Sequence, residues 1–186
     1  MSSVRSITQK RGAVKTWLPA VSLIAIILAV LGRMMFYTPP AVKDGSLAPD
    51  MTLSNPGEPV VRLSEKRGKV IVLDFWATWC GPCKQSMPHL SKIYENWKAD
   101  GVEVYGISTD LEDRRKLVPV VAKDLGVTYP LLYFLDQPDL NEKYHWTSLP
   151  TMVIINKKGE VVKYQQGYDP SYDLDAIIGA LVKEKG

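Results

Sequence analysis

Short apolar runs alternate with helically spaced apolar residues from about residue 48 onwards. Residues 70–75 form a nearly continuous apolar run with several β-branched members, which is typical of a strand buried on both faces. Residues 102–107 predict a second strand, and residues 83–98 carry apolar side chains at helical spacing. Because a helix connects these two strands, we expect them to be parallel.

The second half of the chain continues with helix and hairpin patterns. Residues 111–125 predict a helix closed by Gly126. Residues 152–155 and 161–164 flank Asn-Lys-Lys-Gly, which indicates a β-hairpin, and residues 174–185 predict an amphipathic helix. This order of elements predicts an α/β protein with a central mixed sheet flanked by helices.

The N-terminal part has a different pattern. Residues 16–32 contain no charged side chain, and Trp17 and Tyr37 are separated by about 30 Å at helical rise, the thickness of a bilayer core. We expect a cytoplasmic tail over residues 1–15, a transmembrane signal-anchor helix over 16–37, a linker over 38–47 and a folded domain over 48–186. A cleaved signal peptide is the competing interpretation.

The distribution of charge supports this topology. The first 35 residues hold five basic and no acidic residues, whereas the remainder holds 18 basic and 20 acidic residues. The basic tail predicts a domain on the extracytoplasmic, periplasmic side of a single-pass membrane protein. A near-neutral domain lacks the excess of basic residues that is typical of nucleic-acid-binding domains.

Both cysteines of the chain lie in the segment Trp79-Cys80-Gly81-Pro82-Cys83. The segment follows a predicted buried strand and opens a predicted helix, so the helix N-terminus favours the thiolate of Cys80. Pro82 suits a first helical turn because it lacks an N–H. Cys83 is three residues further on and within reach of a disulfide. This spacing predicts a redox-active cysteine pair.

Other interpretations of the pair are less consistent with its position. A structural disulfide usually joins distant segments, and an inert buried pair fits badly at a strand–helix junction. A zinc site needs four ligands, and only His89 and His145 remain to complete it. Copper binding through the two cysteines and one histidine stays open as a non-redox alternative.

Residues 72–84 resemble the active-site segment of the thioredoxin superfamily almost residue for residue. Pro88 matches the proline inside that family's active-site helix, Ser148-Leu149-Pro150-Thr151 resembles its cis-proline loop, and Gly167 matches a glycine after the last strand. The resemblance covers about residues 48–186 and implies a thioredoxin fold.

Two features are similar to the TlpA/ResA-like branch of membrane-tethered reductases. Residues 48–53 resemble its N-terminal strand extension, and the long stretch 110–150 is consistent with its central insertion of a helix and a strand. Two departures are present as well. Gly106 stands where thioredoxins carry a lysine near the buried acid, and Gly81-Pro82 stands where many reductases of the branch have an acidic residue.

The resemblance implies a role for each site residue. Cys80 attacks a substrate disulfide, Cys83 resolves the mixed disulfide, and Asp74 accepts a proton, unless it is a strand-end acid facing solvent. Pro150, if cis, presents the backbone of Leu149 to the substrate. The remaining members of the expected substrate-binding surface are Trp79, Gly81, Pro82 and Trp146, the last of which could equally belong to the core.

The implied function is an extracytoplasmic thiol–disulfide oxidoreductase that needs no cofactor besides its cysteine pair. Its expected partners are protein disulfide or dithiol substrates, with cytochrome c maturation as one setting, and a membrane electron-donor protein. A peroxidase is disfavoured because Leu73 and Ala77 stand where peroxiredoxins have a proline and a threonine. A copper-binding assembly factor is the non-enzymatic alternative.

Overall fold

The computed structural model describes residues 18–35, 42–55, 59–134 and 137–184, and in the first helix the side chains of residues 22–32 only. The chain divides into two compact units, Met1–Pro39 and Pro40–Gly186. The predicted tail over residues 1–15, Trp17, Tyr37 and residues 38–41 of the predicted linker lie outside the described residues.

The first unit contains one helix, α1, which spans Leu18–Met35. Seven of the large apolar side chains described in it are exposed, namely Leu23, Ile24, Ile26, Ile27, Leu28, Val30 and Leu31. Over the residues described, no helix is found to be both long enough and apolar enough for a membrane span.

The second unit alternates strands and helices as the sequence predicts. Its strands are β1 (Thr52–Leu53), β2 (Val61–Arg62), β3 (Val70–Trp76), β4 (Val102–Ser108), β5 (Leu131–Tyr133), β6 (Thr151–Ile155) and β7 (Val161–Gln166). Its helices are α2 (Gly81–Trp97), α3 (Glu112–Arg115), α4 (Val118–Asp124), α5 (Leu140–Tyr144) and α6 (Leu174–Lys183).

Five of the strands form a mixed sheet in the order β5-β4-β3-β6-β7. The predicted parallel pairing of β3 with β4 is confirmed, and β5 continues the parallel part. β6 and β7 form the predicted antiparallel hairpin, with β6 against β3. All seven residues of β3 are buried, as its apolar run predicts. This architecture is the expected thioredoxin fold.

The side chains on the two faces of β3 belong to two different apolar clusters. Val70, Val72 and Trp76 pack with residues of α2 and α6 and with both cysteines. Ile71, Leu73 and Phe75 pack on the opposite face against the N-terminal residues of the domain and α5. The alternation follows from the two-residue period of a strand, and it places the cysteine pair above the helix-covered face.

The prediction of a single helix over residues 111–125 is wrong. The structure has two helices there, α3 and α4, which are separated at Lys116 and Leu117. Pro119 lies in the first turn of α4, where its missing N–H costs no hydrogen bond within the helix. Gly126 has a φ of 66° and follows α4, as predicted for a C-terminal glycine.

The N-terminal edge of the domain also differs from the sequence prediction. The strand expected over residues 48–53 is reduced to β1, since Pro49 has no N–H to contribute to a ladder. Residues 42–47, expected to belong to the linker, contact the β6–β7 hairpin: Val42 is buried, and Ser46 accepts a hydrogen bond from the N–H of Val161 at 2.7 Å. The packed domain therefore includes these residues.

Candidate functional site

The cysteine pair lies where β3 leads into α2. Cys80 is the N-cap of α2, and its Sγ accepts the N–H of Cys83 at 3.2 Å. The two residues form a disulfide with their Cα atoms 5.3 Å apart. Cys80 retains 4% exposure, whereas Cys83 is fully buried. The unpaired N–H groups of the helix start stabilise a thiolate on Cys80 after reduction, and Cys80 is the member of the pair that keeps some exposure.

The residues between and before the cysteines are presented to solvent. Gly81 and Pro82 are exposed in the first turn of α2. Trp79 is 61% exposed, which is unusual for such a large apolar side chain. These three residues surround Cys80 with an accessible, mostly apolar surface.

Asp74 is buried in the middle of β3, so the alternative of a solvent-facing acid is wrong. It shares its sheet face with Val72 and Trp76, which pack in the same cluster as Cys83. Burial raises the pKa of Asp74 to about 7. Its Oδ2 has no hydrogen-bond partner among the described residues. A carboxyl group with this pKa is half ionised near neutral pH and suits a proton acceptor.

A small pocket connects Asp74 with the surface. Ser86, His89, Pro150 and Gln165 are among the residues that line it together with Asp74. It has about 40 Å³ of space for the centres of water molecules, and about 10–15 Å³ is enough for one. The pocket therefore has room for water beside Asp74, on the side of the cis-proline loop.

Gly106 lies beside Asp74 in the β3–β4 register, as its alignment with the family's lysine suggests. A Cβ atom at this position would lie 2.7 Å from Leu131 Cδ2 and 2.9 Å from Tyr129 Cε2. The space that a lysine side chain would need is thus filled by these two residues. Burial, with Asp74 as the second cause, raises the pKa of Tyr129 well above its usual value, so its hydroxyl stays neutral. No cation replaces the missing lysine within the described region around Asp74.

The loop before β6 has the expected conformation. The Leu149–Pro150 peptide bond is cis. Its position is fixed by a hydrogen bond from Thr151 Oγ1 to the carbonyl of Ser148 at 2.7 Å, and by one from the N–H of Gly167 to the carbonyl of Pro150 at 2.7 Å. Pro150 is buried and Leu149 is half-buried. Gly167, which matches a family glycine after the last strand, has a φ of 83° and donates the second of these bonds.

Trp146 lies between the core and the surface. One face of its ring stacks on Phe75, with the centroids 4.6 Å apart, and the side chain is half-buried. It also lines a surface groove together with Trp79 and Leu149. The predicted substrate-binding residues Trp79, Trp146 and Leu149 are therefore brought together in one groove, while Asp74 and Pro150 border the pocket beneath the loop.

Sequence patterns missed two residues that organise the site. Asp110 is buried just beyond β4, and its carboxylate accepts the N–H and the hydroxyl of Thr78, both at 2.7 Å, directly before Trp79 and Cys80. Gln166, the last residue of β7, accepts hydrogen bonds from Thr147 and Ser148. A Thr in the active-site segment and an Asp after the next strand were visible in the sequence, but nothing linked Gln166 to the cis-proline loop.

A metal is not needed for the chemistry of this site. Across the described residues, no group of three or more His, Cys, Asp or Glu side chains could hold a metal ion. The redox group is the cysteine pair itself, and the family's reaction uses no separate cofactor.

A thioredoxin fold with a Cys-Gly-Pro-Cys disulfide at a helix N-terminus and a cis-proline loop defines the class of thiol–disulfide oxidoreductases. Comparison with known proteins identifies the family. Residues 43–178 match the Redoxin family. The chain is 33% identical over 158 residues to thiol-disulfide oxidoreductase ResA of Geobacillus kaustophilus, covering 83% of this chain and 89% of that protein. It is 32% identical over 152 residues to thioredoxin-like protein YneN of Bacillus subtilis, covering 79% and 87%.

Solved structures agree with these relatives. A putative thiol:disulfide interchange protein DsbE from Chlorobium tepidum has a TM-score of 0.69 at 28% identity and is covered over 99% of its length, against 76% of this chain. A putative protein disulfide isomerase from Bacteroides thetaiotaomicron has the same TM-score at 31% identity, with 77% of this chain and 92% of that chain covered. The chain belongs to the redoxin family and is a ResA-like thiol–disulfide oxidoreductase of the thioredoxin superfamily.

Proposed function

We propose that this enzyme reduces disulfide bonds in protein substrates, with Cys80 as the nucleophile and Cys83 as the resolving thiol. The single observation that carries the assignment is the asymmetry of the pair. Cys80 caps the helix and keeps 4% exposure beside the exposed Trp79, whereas Cys83 is fully buried. A substrate can therefore form a mixed disulfide with Cys80 alone.

The reaction follows from this asymmetry. The thiolate of Cys80 attacks one sulfur of the substrate disulfide, the substrate S–S bond breaks, and its other sulfur leaves as a thiolate. Cys83 then passes its proton to the carboxylate of Asp74 and attacks the Sγ of Cys80. This step closes the Cys80–Cys83 disulfide and releases the second substrate sulfur as a thiolate. Two electrons pass to the substrate, and a donor dithiol must reduce the pair again.

Cysteine variants of the full-length protein test this mechanism. With dithiothreitol as donor and insulin as substrate, Cys80→Ser should abolish turnover, because no nucleophile remains. Cys83→Ser, reduced and then freed of dithiothreitol before insulin is added, should stall as mixed disulfides, which non-reducing electrophoresis detects. Turnover by Cys80→Ser at the wild-type rate would contradict the mechanism. The same Cys83→Ser variant, expressed in the native host, traps the physiological substrate, and an apocytochrome c among the trapped proteins would support a role in cytochrome c maturation.

The direction of the reaction is part of the proposal. The Gly-Pro dipeptide between the cysteines resembles that of reducing members of the superfamily. We expect a midpoint potential nearer to thioredoxin's value of about −270 mV than to the value of about −120 mV of the oxidant DsbA. Equilibration in graded dithiothreitol buffers measures it, with the fluorescence of Trp79 and its neighbours as the signal. A midpoint close to that of DsbA would mean that the protein forms disulfides.

The proposed location is the extracytoplasmic face of a membrane, with the segment 16–37 as anchor. Its support is the uncharged run over residues 16–32, the basic residues before it, and the exposed apolar side chains of α1. Oxidised thiols are favoured outside the cytoplasm, so a reductase there needs a steady supply of electrons. Tethering would raise the local concentration of a membrane-bound dithiol donor.

A further inference from the structure

A glutamine side chain from the neighbouring strand adds further hydrogen bonds to the segment before the cis-proline. Oε1 of Gln166 accepts hydrogen bonds from the N–H and the hydroxyl of Thr147, at 3.1 and 2.7 Å. It accepts two more from the N–H and the hydroxyl of Ser148, both at 3.2 Å. A backbone N–H can only donate, so the atom at the centre of this arrangement must be the amide oxygen.

These bonds decide which backbone groups of the loop remain available to a partner. The N–H groups of Thr147 and Ser148 both point to Gln166, and the carbonyl of Ser148 is engaged by Thr151 Oγ1. The carbonyl of Pro150 is engaged by Gly167. Over the residues that the structure describes, neither the N–H nor the carbonyl of Leu149 has a hydrogen-bond partner. Leu149 also lines the groove with Trp79, next to Cys80.

We propose that Gln166 is a positioning residue that fixes the register in which an extended substrate segment pairs with the loop. The inference rests on the proposed function, in which a peptide carrying the disulfide lies along the groove. By occupying the N–H groups of Thr147 and Ser148, Gln166 leaves Leu149 as the pairing residue. A slip by one residue would turn the substrate side chains to the opposite face, and so move the substrate sulfur away from Cys80.

The proposal predicts different effects on long and small substrates. Insulin offers an extended backbone, whereas the small aromatic disulfide 5,5′-dithiobis(2-nitrobenzoate) has none to pair with Leu149. In Gln166→Leu, the ratio of kcat/KM for insulin to that for the small disulfide should fall at least about fivefold, mostly through KM, as expected for the loss of one or two hydrogen bonds to the substrate. The measurement uses the full-length protein, reduced and then freed of dithiothreitol, because that dithiol would reduce the aromatic disulfide directly. The single-turnover rate is followed at increasing concentrations of each substrate.

Two further variants separate positioning from a loss of structure. Gln166→Glu keeps an oxygen that can accept the same four hydrogen bonds. Its ratio of kcat/KM for insulin to kcat/KM for the small disulfide should therefore remain within about twofold of wild type. Gln137→Leu is the matched control, because Oε1 of Gln137 also accepts a backbone N–H, that of Thr52 at 2.9 Å, but at the β1 edge of the domain. Its ratio should equal that of wild type.

The outcomes distinguish this inference from the proposed function. If wild-type protein fails to reduce insulin, or if Cys80→Ser reduces it, the proposed function is wrong. If wild type is active and Gln166→Leu keeps the wild-type ratio, Gln166 does not set the register. Failure of Gln166→Glu to restore the ratio, or an equal change in Gln137→Leu, would likewise overturn the inference.

Discussion

Asp74 is an acid whose proton affinity is set by its surroundings rather than by its neighbours in sequence. Its carboxyl group is buried, burial alone raises its pKa to about 7, and its partner position across the strands is a glycine. Because Tyr129 and Leu131 fill the space over Gly106, no lysine could be placed there without moving them. A buried carboxyl without a cation remains neutral in mildly acidic solution and becomes a base near neutrality.

The pKa of Asp74 predicts how the stability of the oxidised protein depends on pH. The folded state binds the proton of this group more tightly than the unfolded state, whose reference pKa is 3.8. The stabilisation is fully present below the unfolded value and is lost as the pH rises through about 7. Between pH 4.5 and 7.5, the free energy of unfolding should fall by roughly 3 kcal/mol more in wild type than in Asp74→Asn.

Urea unfolding of both oxidised proteins at several pH values measures this difference directly. All other titrating groups are common to the two proteins, so they cancel in the comparison. A wild-type protein whose stability runs parallel to that of Asp74→Asn over this range would show that Asp74 has an ordinary pKa in the folded state.

Between elements, the connection from β4 to the active-site loop depends on Asp110. Its Oδ1 and Oδ2 accept the hydroxyl and the N–H of Thr78, and Oδ2 also accepts the hydroxyl of Ser108 at 3.1 Å. The loop that carries Trp79 to the start of α2 is thereby attached to the end of the neighbouring strand. Thr78, Ser108 and Asp110 are all buried, so water could not easily take the place of the Asp110 carboxylate as hydrogen-bond acceptor.

Replacement of Asp110 should therefore be costly. In Asp110→Ala, the N–H of Thr78 and two hydroxyls lose their acceptor, and the free energy of unfolding should decrease by about 2–4 kcal/mol. Thr78→Val removes only the hydroxyl bond and should cost about 1 kcal/mol. Urea unfolding of the two single variants and the double variant measures the coupling between them. Strictly additive losses would show that the two side chains do not act together.

The elements themselves were mostly predictable, because their patterns are local. The apolar run of β3, the helical spacing in α2 and the Asn-Lys-Lys-Gly turn each depend on neighbouring residues, and the cysteine motif is contiguous. Pro119 was compatible with a new helix starting there, but Pro88 lies inside α2 without ending it, so a proline alone did not predict the break between α3 and α4. By contrast, the contacts of Gln166 with Thr147 and of Asp110 with Thr78 join distant segments. They arise from strand register, which the sequence does not display.

On the scale of the whole molecule, the pattern of the sequence separates an apolar N-terminal segment from a near-neutral domain. The domain accounts for the redox chemistry, and residues 42–47 are packed on it, so its N-terminal boundary lies before the predicted residue 48. The function of the first unit rests on different evidence, namely its composition and the exposure of its apolar side chains. Its role can be tested separately from the chemistry.

If the segment 16–37 is an anchor, the full-length protein expressed in a bacterial host should remain in the membrane fraction after a carbonate wash. A variant that begins at Pro40, where the second compact unit begins, should be released and should still reduce insulin. Alkaline phosphatase fused after Gly186 should be active only with the full-length chain, because that enzyme requires an oxidising compartment for its disulfides.

If expression of the full-length chain yields a shortened, soluble protein in the periplasm, the segment is a cleaved signal peptide instead. A soluble, unshortened product in the cytoplasm would contradict both interpretations, since the basic tail and uncharged run would then have no targeting role.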